Sequence, residues 1–384
     1  MPPPRVASSA TIARVRAAAV LVVLAGVAHA ADMPVTLVSD EEAEPIHSAI
    51  LRGEAWTQDS ARRLRAEAER RLKDGPWTVT FDRPKGLDLD PHEYYSESPF
   101  WWPDPGHPAR PYMRREGQPN PDRFTANRTA LNAMCDAVFT LGTAAFLLDD
   151  MRYAQRAARV IQVWFVNPKT RMNPGMEHAQ SIPGTPGAPP ATAIPDGRPF
   201  IRAIQGMEFL AQTGAWDARD NAAVRKWFEE YLRWLAQTGQ DRRGADRAWW
   251  LAEEAAVASF LEDAAAERRA FAYYRDRLLP REIRAESVAD LEPTALLCRI
   301  AQTRGVDLWS AQSKSGATVA ALFDPKKAGA ESGNVYYLAF VGMGLNKPDY
   351  IILYHRLTRP DSAWLALVDL LVGRWEAAAH QTRH

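Results

Sequence analysis

Cysteine is scarce in this sequence, where Cys135 and Cys298 are the 2 cysteines in 384 residues. They lie far apart and form neither a Cys-x-x-Cys pair nor a zinc-finger spacing, which excludes the usual structural zinc sites and dithiol redox motifs. Both lie in apolar, helix-like surroundings, where cysteine behaves as a small hydrophobic side chain. We therefore expect two buried thiols rather than a disulfide.

An excess of charge of either sign is also absent, because 47 Lys and Arg residues balance 47 Asp and Glu residues. A neutral total argues against nucleic acid as the main partner, although a local basic patch could still bind an anionic substrate. The sequence has no nucleophile elbow, phosphate loop, H-E-x-x-H pair or dinucleotide fingerprint. We therefore expect no metal and no other cofactor.

Long apolar runs are confined to the N-terminus. The run Ala17 to Val27 follows several arginines and precedes Ala28-His29-Ala30, which is the pattern of a secretory signal peptide and its cleavage site. The run is short for a membrane span, and a retained anchor is the alternative. We predict a signal peptide over residues 1–30 and a periplasmic or secreted protein. No later segment is expected to cross a membrane, so no membrane partner is expected after signal cleavage.

Apolar residues recur at helical spacing through most of residues 31–384. They fall at i, i+4, i+7, i+8 and i+11 in residues 151–166, and they form one stripe in residues 218–237. Further helices are predicted at 60–72, 128–148, 200–213, 246–263, 264–279, 292–302 and 362–378. Extended patterns are few and short, such as WTVTF at 77–81. The pattern predicts a single all-α domain, with paired helices stacked around a curved axis.

Residues 84–121 form a long predicted loop that contains YYSESPFWWPDP. Its prolines cannot lie inside a helix, and a loop of this length is usually functional. Aromatic rings stack on sugar faces and arginines form paired hydrogen bonds with carboxylates. The candidate substrate-binding residues are Trp101, Trp102, Arg114 and Asn120. Alternatively, the tryptophans fasten the loop to the helices and the arginine is solvated.

A second long loop, residues 167–199, carries Asn173 and Gln180 as further candidate substrate-binding residues. His178 between them titrates near neutral pH, so it is a candidate catalytic residue for proton transfer. Tyr95 of the first loop is the other candidate acid or base. We expect both loops to line one groove. The alternative for His178 is a hydrogen-bonded structural role.

Several stretches together resemble the alginate lyase superfamily. The first loop shows Tyr-Ser followed by Trp-Trp-Pro and Asn-Pro, and the second shows Thr-x-Met-Asn-Pro followed by Ala-Gln-x-Ile-Pro-Gly. The resemblance covers roughly residues 60 to 310. It implies an incomplete α/α toroid with long loops over a concave groove. It also implies an exported protein that cleaves a uronate-containing polysaccharide by β-elimination, with that acidic polysaccharide as its partner.

The sequence departs from this family at the residues that the resemblance makes catalytic. The helix GADRAWWLAEEAAVASFL has Ala245 and Asp246 where the family has an Asn-His pair, and the later Arg and Tyr stretch is missing near residues 284–290. Elimination needs carboxylate neutralisation, a base and an acid, so these replacements predict very low or absent activity on alginate. A non-catalytic binding protein is one alternative. A glycoside hydrolase that uses Asp246 with Glu253 or Glu254 is another.

Overall fold

The computed structural model describes residues 36–107, 111–185, 194–238, 244–279, 291–312, 316, 318–323, 335–358 and 362–381. All of them lie in one compact unit, Met33–His384. The helices are α1 Asp40–Leu51, α2 Ala55–Arg71, α3 Ala126–Leu147, α4 Met151–Ile161, α5 Ile194–Gly197, α6 Phe200–Gln212, α7 Ala218–Thr238, α8 Gly244–Leu261, α9 Ala264–Tyr273, α10 Leu291–Thr303, α11 Tyr337–Gly344, α12 Pro348–Leu357 and α13 Ala363–Gln381.

The predicted helices agree with the observed ones to within a few residues, apart from the predicted start of α2. The amphipathic segment 151–166 begins as α4 and ends in a π-helical turn, Gln162–Val166. The segment at 264–279 likewise continues α9 through a π-helical turn, Tyr274–Leu278. The extended piece expected at 77–81 forms no strand, because residues 77–78 have no regular secondary structure, residues 79–80 form a turn and residue 81 lies in a bend. Four of the described helices were not predicted, namely α1, α5, α11 and α12.

Helix α3 is central to the packing, since it lies against α2, α4 and α6. Its closest approach is at Gly142, where an added Cβ would overlap the carbonyl oxygen of Gly206 on α6. An added Cβ at Gly206 would lie 2.5 Å from the Cα of Phe139. Glycine at both positions therefore lets the two helix backbones touch. This contact fixes the C-terminal half of α3 against the middle of α6.

The apolar composition of α3 reflects burial in the core. Contrary to the expectation that no later segment could span a membrane, Ala126–Leu147 is long and apolar enough to do so by length and composition. However, 78% of its most apolar window is buried inside the fold. A core helix surrounded by other helices meets the same criterion as a membrane span, and its neighbours explain the composition here.

Both cysteines are buried thiols that are not disulfide-bonded, Cys135 on α3 and Cys298 on α10. Burial raises the pKa of the Cys135 thiol well above its usual value, and the nearby Asp136 adds to the rise. A thiol that stays protonated is a poor nucleophile. Cys135 therefore serves as a small apolar residue, as expected.

Short strands join the two long loops. Strand β1, Tyr95–Glu97, pairs in parallel with β4, His178–Ser181. Strand β2, Trp101–Trp102, pairs antiparallel with β3, Met113–Arg114, inside the first loop. The loops that sequence reasoning treated as one surface are thus hydrogen-bonded to each other. The pairing carries residues of both loops to α5, which lies near the end of the second loop.

The segment Thr36–Val38 is buried and is held by side chains of α6 and α10. Thr36 donates to the carboxylate of Glu208 from its backbone N (2.9 Å) and from its hydroxyl (2.7 Å). The next two amides donate to Gln205, and Arg299 donates to the carbonyl of Leu37. Buried backbone groups need such partners outside regular structure. These bonds make the segment part of the core.

Candidate functional site

A cleft of about 280 Å³ lies where several helices begin. Arg128 and Asn132 come from the first two turns of α3, and Glu292 comes from the first turn of α10. Other lining residues lie at or near the starts of α6 and α8. The lining residues are Arg128, Asn132, Asp196, Arg198, Pro199, Ile201, Arg202, Trp249, Glu292, Leu296 and Tyr336. Helix N-termini carry a partial positive charge, so their convergence favours an anionic ligand.

Guanidinium groups dominate the charge of this cleft. Arg128 forms an ion pair with Asp196 (Nε to Oδ1, 3.2 Å), and its side chain is 28% exposed. Arg202 is paired with Asp136 at 3.1 Å and is 35% exposed. Arg198 lies over the ring of Trp249, 4.8 Å from its centroid. Guanidinium groups that are partly exposed and kept in place by neighbouring side chains are suited to binding a carboxylate.

The Asp196 carboxylate organises the floor of the cleft, although it is only 2% exposed. It accepts hydrogen bonds from Tyr94 (2.9 Å) and Ser96 (2.5 Å) of the first loop. From the second loop it accepts one from Gln180 (3.1 Å), besides the Arg128 ion pair. Asp196 therefore holds both loops against the helix starts. Gln180, predicted as a binding residue, is brought to the cleft in this way.

Glycine at position 197 permits this arrangement. An added Cβ there would overlap the carboxylate of Glu253 and lie 2.6 Å from the phenol oxygen of Tyr231. Those two groups are themselves joined by a hydrogen bond of 2.5 Å, with Glu253 fully buried. The turn α5 can thus sit directly on α8 only with glycine at that position. This close packing of α5 on α8 fixes the position of Asp196 at the base of the cleft.

Tyr336 and Glu292 form a second hydrogen-bonded pair in the cleft, with 2.6 Å from the phenol oxygen to the carboxylate. Burial raises the pKa of Tyr336 well above its usual value, and the charge of Glu292 raises it further. The positive charges of Arg202 and Arg198 lower the pKa of Tyr336, which shows that both arginines are close to this phenol. The phenol is therefore protonated at neutral pH and can donate a proton.

The two predicted catalytic residues stand opposite each other in the strand pair, with Tyr95 in register with His178. The phenol of Tyr95 donates to Glu97 at 3.1 Å. Burial raises the pKa of Tyr95, and Glu97 adds to the rise, so this tyrosine also keeps its proton. Neither Tyr95 nor His178 is among the residues that line the described cleft. Their catalytic role remains a prediction.

The predicted residues of the first loop form a small unit of their own. Trp101 and Trp102 are half-buried, outside the core, and Trp102 donates to the carbonyl of Gln118 at 2.8 Å. Arg114 is 59% exposed and paired with Glu116. Asn120 is buried and donates to the carbonyl of Trp101 at 3.0 Å. Asn120 thus supports the loop, and the tryptophan rings remain predicted contacts for substrate.

Asn173 lies at a different hollow of about 280 Å³, beside α7. Its side-chain amide donates to Glu93 at 3.0 Å. Asn173 therefore lies at this second hollow, whereas Gln180 is bonded to Asp196 in the first one. The first is called the arginine cleft below, after Arg128, Arg198 and Arg202. The segment 92–96 links the two places along the chain.

The two positions at which this sequence departs from the family's Asn-His pair lie at the start of helix α8. Ala245 and Asp246 lie in its first turn, and their side chains are outside the described residues. Trp249, one turn further along, lines the cleft, so this helix start borders it. Of the carboxylates in the hydrolase alternative, Glu253 is bonded to Tyr231, while burial raises the pKa of Glu254 to about 7. Neither lines the described cleft.

Sequence reasoning missed most of the charged residues that line the cleft. Arg202 lies in the first turn of α6 and Arg198 in the turn just before it, so both lie at the N-terminal end of one helix. Two arginines next to a predicted helix start were the available signal. Tyr336 and Glu292 come from distant parts of the chain, and only the fold brings them together. Among the described residues, no group of three or more His, Cys, Asp or Glu could hold a metal ion.

Comparisons with known proteins agree with this architecture. The family model for alginate lyase matches residues 84–286, a little over half of the chain. The crystal structure of an alginate lyase from Bacteroides ovatus is similar, with a TM-score of 0.76 and 22% identity over 87% of this chain and 98% of that chain. This likeness shows the fold, an α/α toroid as predicted. No curated protein sequence matches the chain significantly.

Proposed function

The chain belongs to the alginate lyase family, and from that membership we propose that it cleaves a uronate-containing polysaccharide by β-elimination in the arginine cleft. The observation that carries the proposal is the position of Arg198 and Arg202 beside the Tyr336–Glu292 pair. These residues supply the three requirements of the reaction, which are carboxylate neutralisation, a base and an acid. None of them occupies the family positions that are altered in this sequence.

Carboxylate neutralisation falls to the guanidinium groups. A uronate carboxylate in the cleft meets Arg198 and Arg202, and the N-terminal ends of α3, α6 and α10 add positive potential. Neutralising the carboxylate makes the neighbouring C5 proton acidic, because the charge that develops on the carboxylate in the transition state is then stabilised. Arg128 is committed to Asp196 and acts by holding the floor.

Proton transfer falls to the hydrogen-bonded pair. The Glu292 carboxylate removes the C5 proton, and the electron pair forms the C4–C5 double bond while the C4–O bond breaks. Tyr336 gives its proton to the departing glycosidic oxygen and recovers one from Glu292. An adjacent acid and base suit syn elimination, in which the C5 proton and the leaving oxygen share one face of the sugar ring. Mannuronate and glucuronate polymers have that stereochemistry at C4 and C5.

A second candidate function is binding without cleavage. It is favoured by Ala245 and Asp246, because alanine donates no side-chain hydrogen bond and an aspartate repels a carboxylate unless it is protonated or paired. In this case the cleft still holds uronate residues, but turnover is absent. The two candidates differ only in whether product appears.

Export is part of the proposal. The apolar run before Ala28-His29-Ala30 is the feature that supports export, and the proposed substrate is then one of the periplasm or the outside of the cell. N-terminal sequencing of protein from the periplasmic fraction should give a start near Ala31. A periplasmic protein that still begins at Met1 would contradict cleavage.

The experiment is a product assay on polymannuronate, polyguluronate and a glucuronate polymer with purified mature protein. Elimination produces an unsaturated sugar with ultraviolet absorbance, whereas hydrolysis produces new reducing ends without it. We expect absorbance with polymannuronate or the glucuronate polymer. Binding with neither product supports the second candidate. Reducing ends without absorbance would overturn both.

A further inference from the structure

A second hollow, distinct from the arginine cleft, lies between the second loop and α7. Its volume of about 280 Å³ is near the lower end for ligand pockets, which start at about 300 Å³. The loop side is formed by Arg171, Asn173 and their neighbours, and the helix side by Lys226 and Trp227. No step of the proposed reaction uses this hollow.

The hollow carries two cations that form no ion pair in the described part of the chain. Arg171 and Lys226 are both exposed, and within the described part of the chain neither side chain forms an ion pair. By contrast, Arg128 and Arg202 of the arginine cleft are each paired with an aspartate. Glu230 is the acidic residue among those that line the hollow, so its lining has an excess of positive charge. Such a lining suits an anion.

The loop wall of the hollow is held in place by hydrogen bonds, of which the one from Trp227 is buried. The indole of Trp227 donates to the carbonyl of Met172 at 2.7 Å, and the Asn173 backbone N donates to His92 at 2.9 Å. The carbonyl of Arg171 accepts from His92 Nδ1 at 2.6 Å. Trp227 packs edge-on against Phe165, with 4.8 Å between the ring centroids. Because the backbone on both sides of Arg171 is fixed, a ligand would not have to order it.

Asn173 adds a hydroxyl-binding group to the two cations. Its amide nitrogen donates to Glu93, and the amide oxygen can accept a hydrogen bond from a sugar hydroxyl. A fork-shaped guanidinium, an ammonium group and an amide together match a sugar that bears a carboxylate. An inorganic anion would use the cations but not the amide.

We propose that this hollow is a second binding site for acidic saccharide, which holds a uronate carboxylate between the Arg171 guanidinium and the Lys226 ammonium group. The assignment of the ligand rests on the proposed function. Residues 92–96 link the two sites along the chain, because His92 and Glu93 contact the hollow's loop while Tyr94 and Ser96 bond Asp196. A polymer held at both places gains affinity through effective concentration.

The test compares Arg171→Ala/Lys226→Ala with the matched control Lys169→Ala/Arg219→Ala. The control removes two exposed cations from the same loop and the same helix, but neither residue lines the hollow. Calorimetric titration with long alginate oligosaccharides should show about ten-fold weaker binding for the hollow variant, or ~1.4 kcal/mol, and unchanged binding for the control. Equal affinities in the two variants would overturn the proposal.

Further arms separate this site from the cleft and from simple anion binding. Arg198→Ala/Arg202→Ala should weaken binding of short and long oligosaccharides, whereas the hollow variant should weaken only the long ones. If the cleft variant alone changes binding, the proposed function stands and the second site falls. Inorganic phosphate tests whether the hollow binds an inorganic anion rather than an acidic saccharide. Tight phosphate binding that depends on Arg171 and Lys226, without uronate binding there, would overturn the saccharide assignment.

Discussion

Ser96 and Asp196, 100 residues apart in the chain, are joined by a hydrogen bond of 2.5 Å from the serine hydroxyl to the buried carboxylate. The same hydroxyl accepts a bond of 2.8 Å from the backbone N of Gln180. One side chain therefore links both long loops to the floor of the cleft. Because the carboxylate accepts several donors at once, the cleft geometry depends on its charge and shape.

The first prediction concerns this carboxylate. Asp196→Asn replaces an acceptor oxygen with a donor and leaves Arg128 without its charge partner. Because the group is buried, we expect unfolding to become easier by about 2–3 kcal/mol. Denaturant titration measures the change. Asp276→Asn, which breaks a mostly exposed pair with Arg275, should cost less than about 1 kcal/mol. Similar losses in the two variants would contradict the role of Asp196.

The second prediction concerns Tyr336. Tyr336→Phe removes the proposed proton donor, so the elimination rate should fall by about 10²–10⁴-fold. Affinity for oligouronate should change little, because the arginines remain. The matched control is Tyr354→Phe, since Tyr354 donates to Asp369 at 2.6 Å in the same kind of pair, away from the cleft. A control variant that loses as much activity as Tyr336→Phe would show that the effect is structural.

The third prediction concerns the pH dependence of stability. Burial raises the pKa of Glu208 from 4.5 to about 8, so the folded protein binds this proton more tightly than the unfolded chain does. The resulting stability is fully present below about pH 4.5 and is lost as the pH rises towards 8. Each pKa unit is worth about 1.4 kcal/mol, so the loss over this window is roughly 5 kcal/mol.

Glu208→Gln should remove that part of the pH dependence. The amide oxygen can accept from the backbone N of Thr36, and its nitrogen can donate to the Thr36 hydroxyl, so both bonds survive. Denaturant titrations at pH 5, 6, 7 and 8 should give a flatter profile for the variant than for wild type. Glu229→Gln on the exposed side of α7 is the control and should follow wild type. A variant profile as steep as that of wild type would contradict the raised pKa.

Helix periodicity predicted most of the long helices, but it did not predict α1 or α11. The apolar stripes of α4 and α7 are regular and were found almost to the residue. Helix α1 was missed, and it contains Pro45, which usually signals a helix end. Helix α11 is apolar on all sides because it is buried, so it has no helical stripe to detect.

The site was less predictable because its residues meet only in three dimensions. Gln180 was predicted as a binding residue from its place in a family-like loop; the structure bonds it to Asp196, but it is not among the residues that line the cleft, so its role stays a prediction. Tyr336 lies 44 residues beyond Glu292 in a region with no clear pattern, so no local signal connected them. The pairing of β1 with β4 also depends on distant contacts. Two strands of a few residues have no periodicity strong enough to predict.

The central claim is that Arg198 and Arg202 bind a uronate carboxylate in the cleft. The most direct measurement is calorimetric titration of wild type and Arg198→Ala/Arg202→Ala with a short oligouronate and with its carboxyl-reduced, neutral form. We predict that wild type binds the charged sugar at least about ten-fold more tightly than the neutral one, and that the variant loses this preference. Equal binding of the two sugars by wild type, or an unchanged preference in the variant, would contradict the claim.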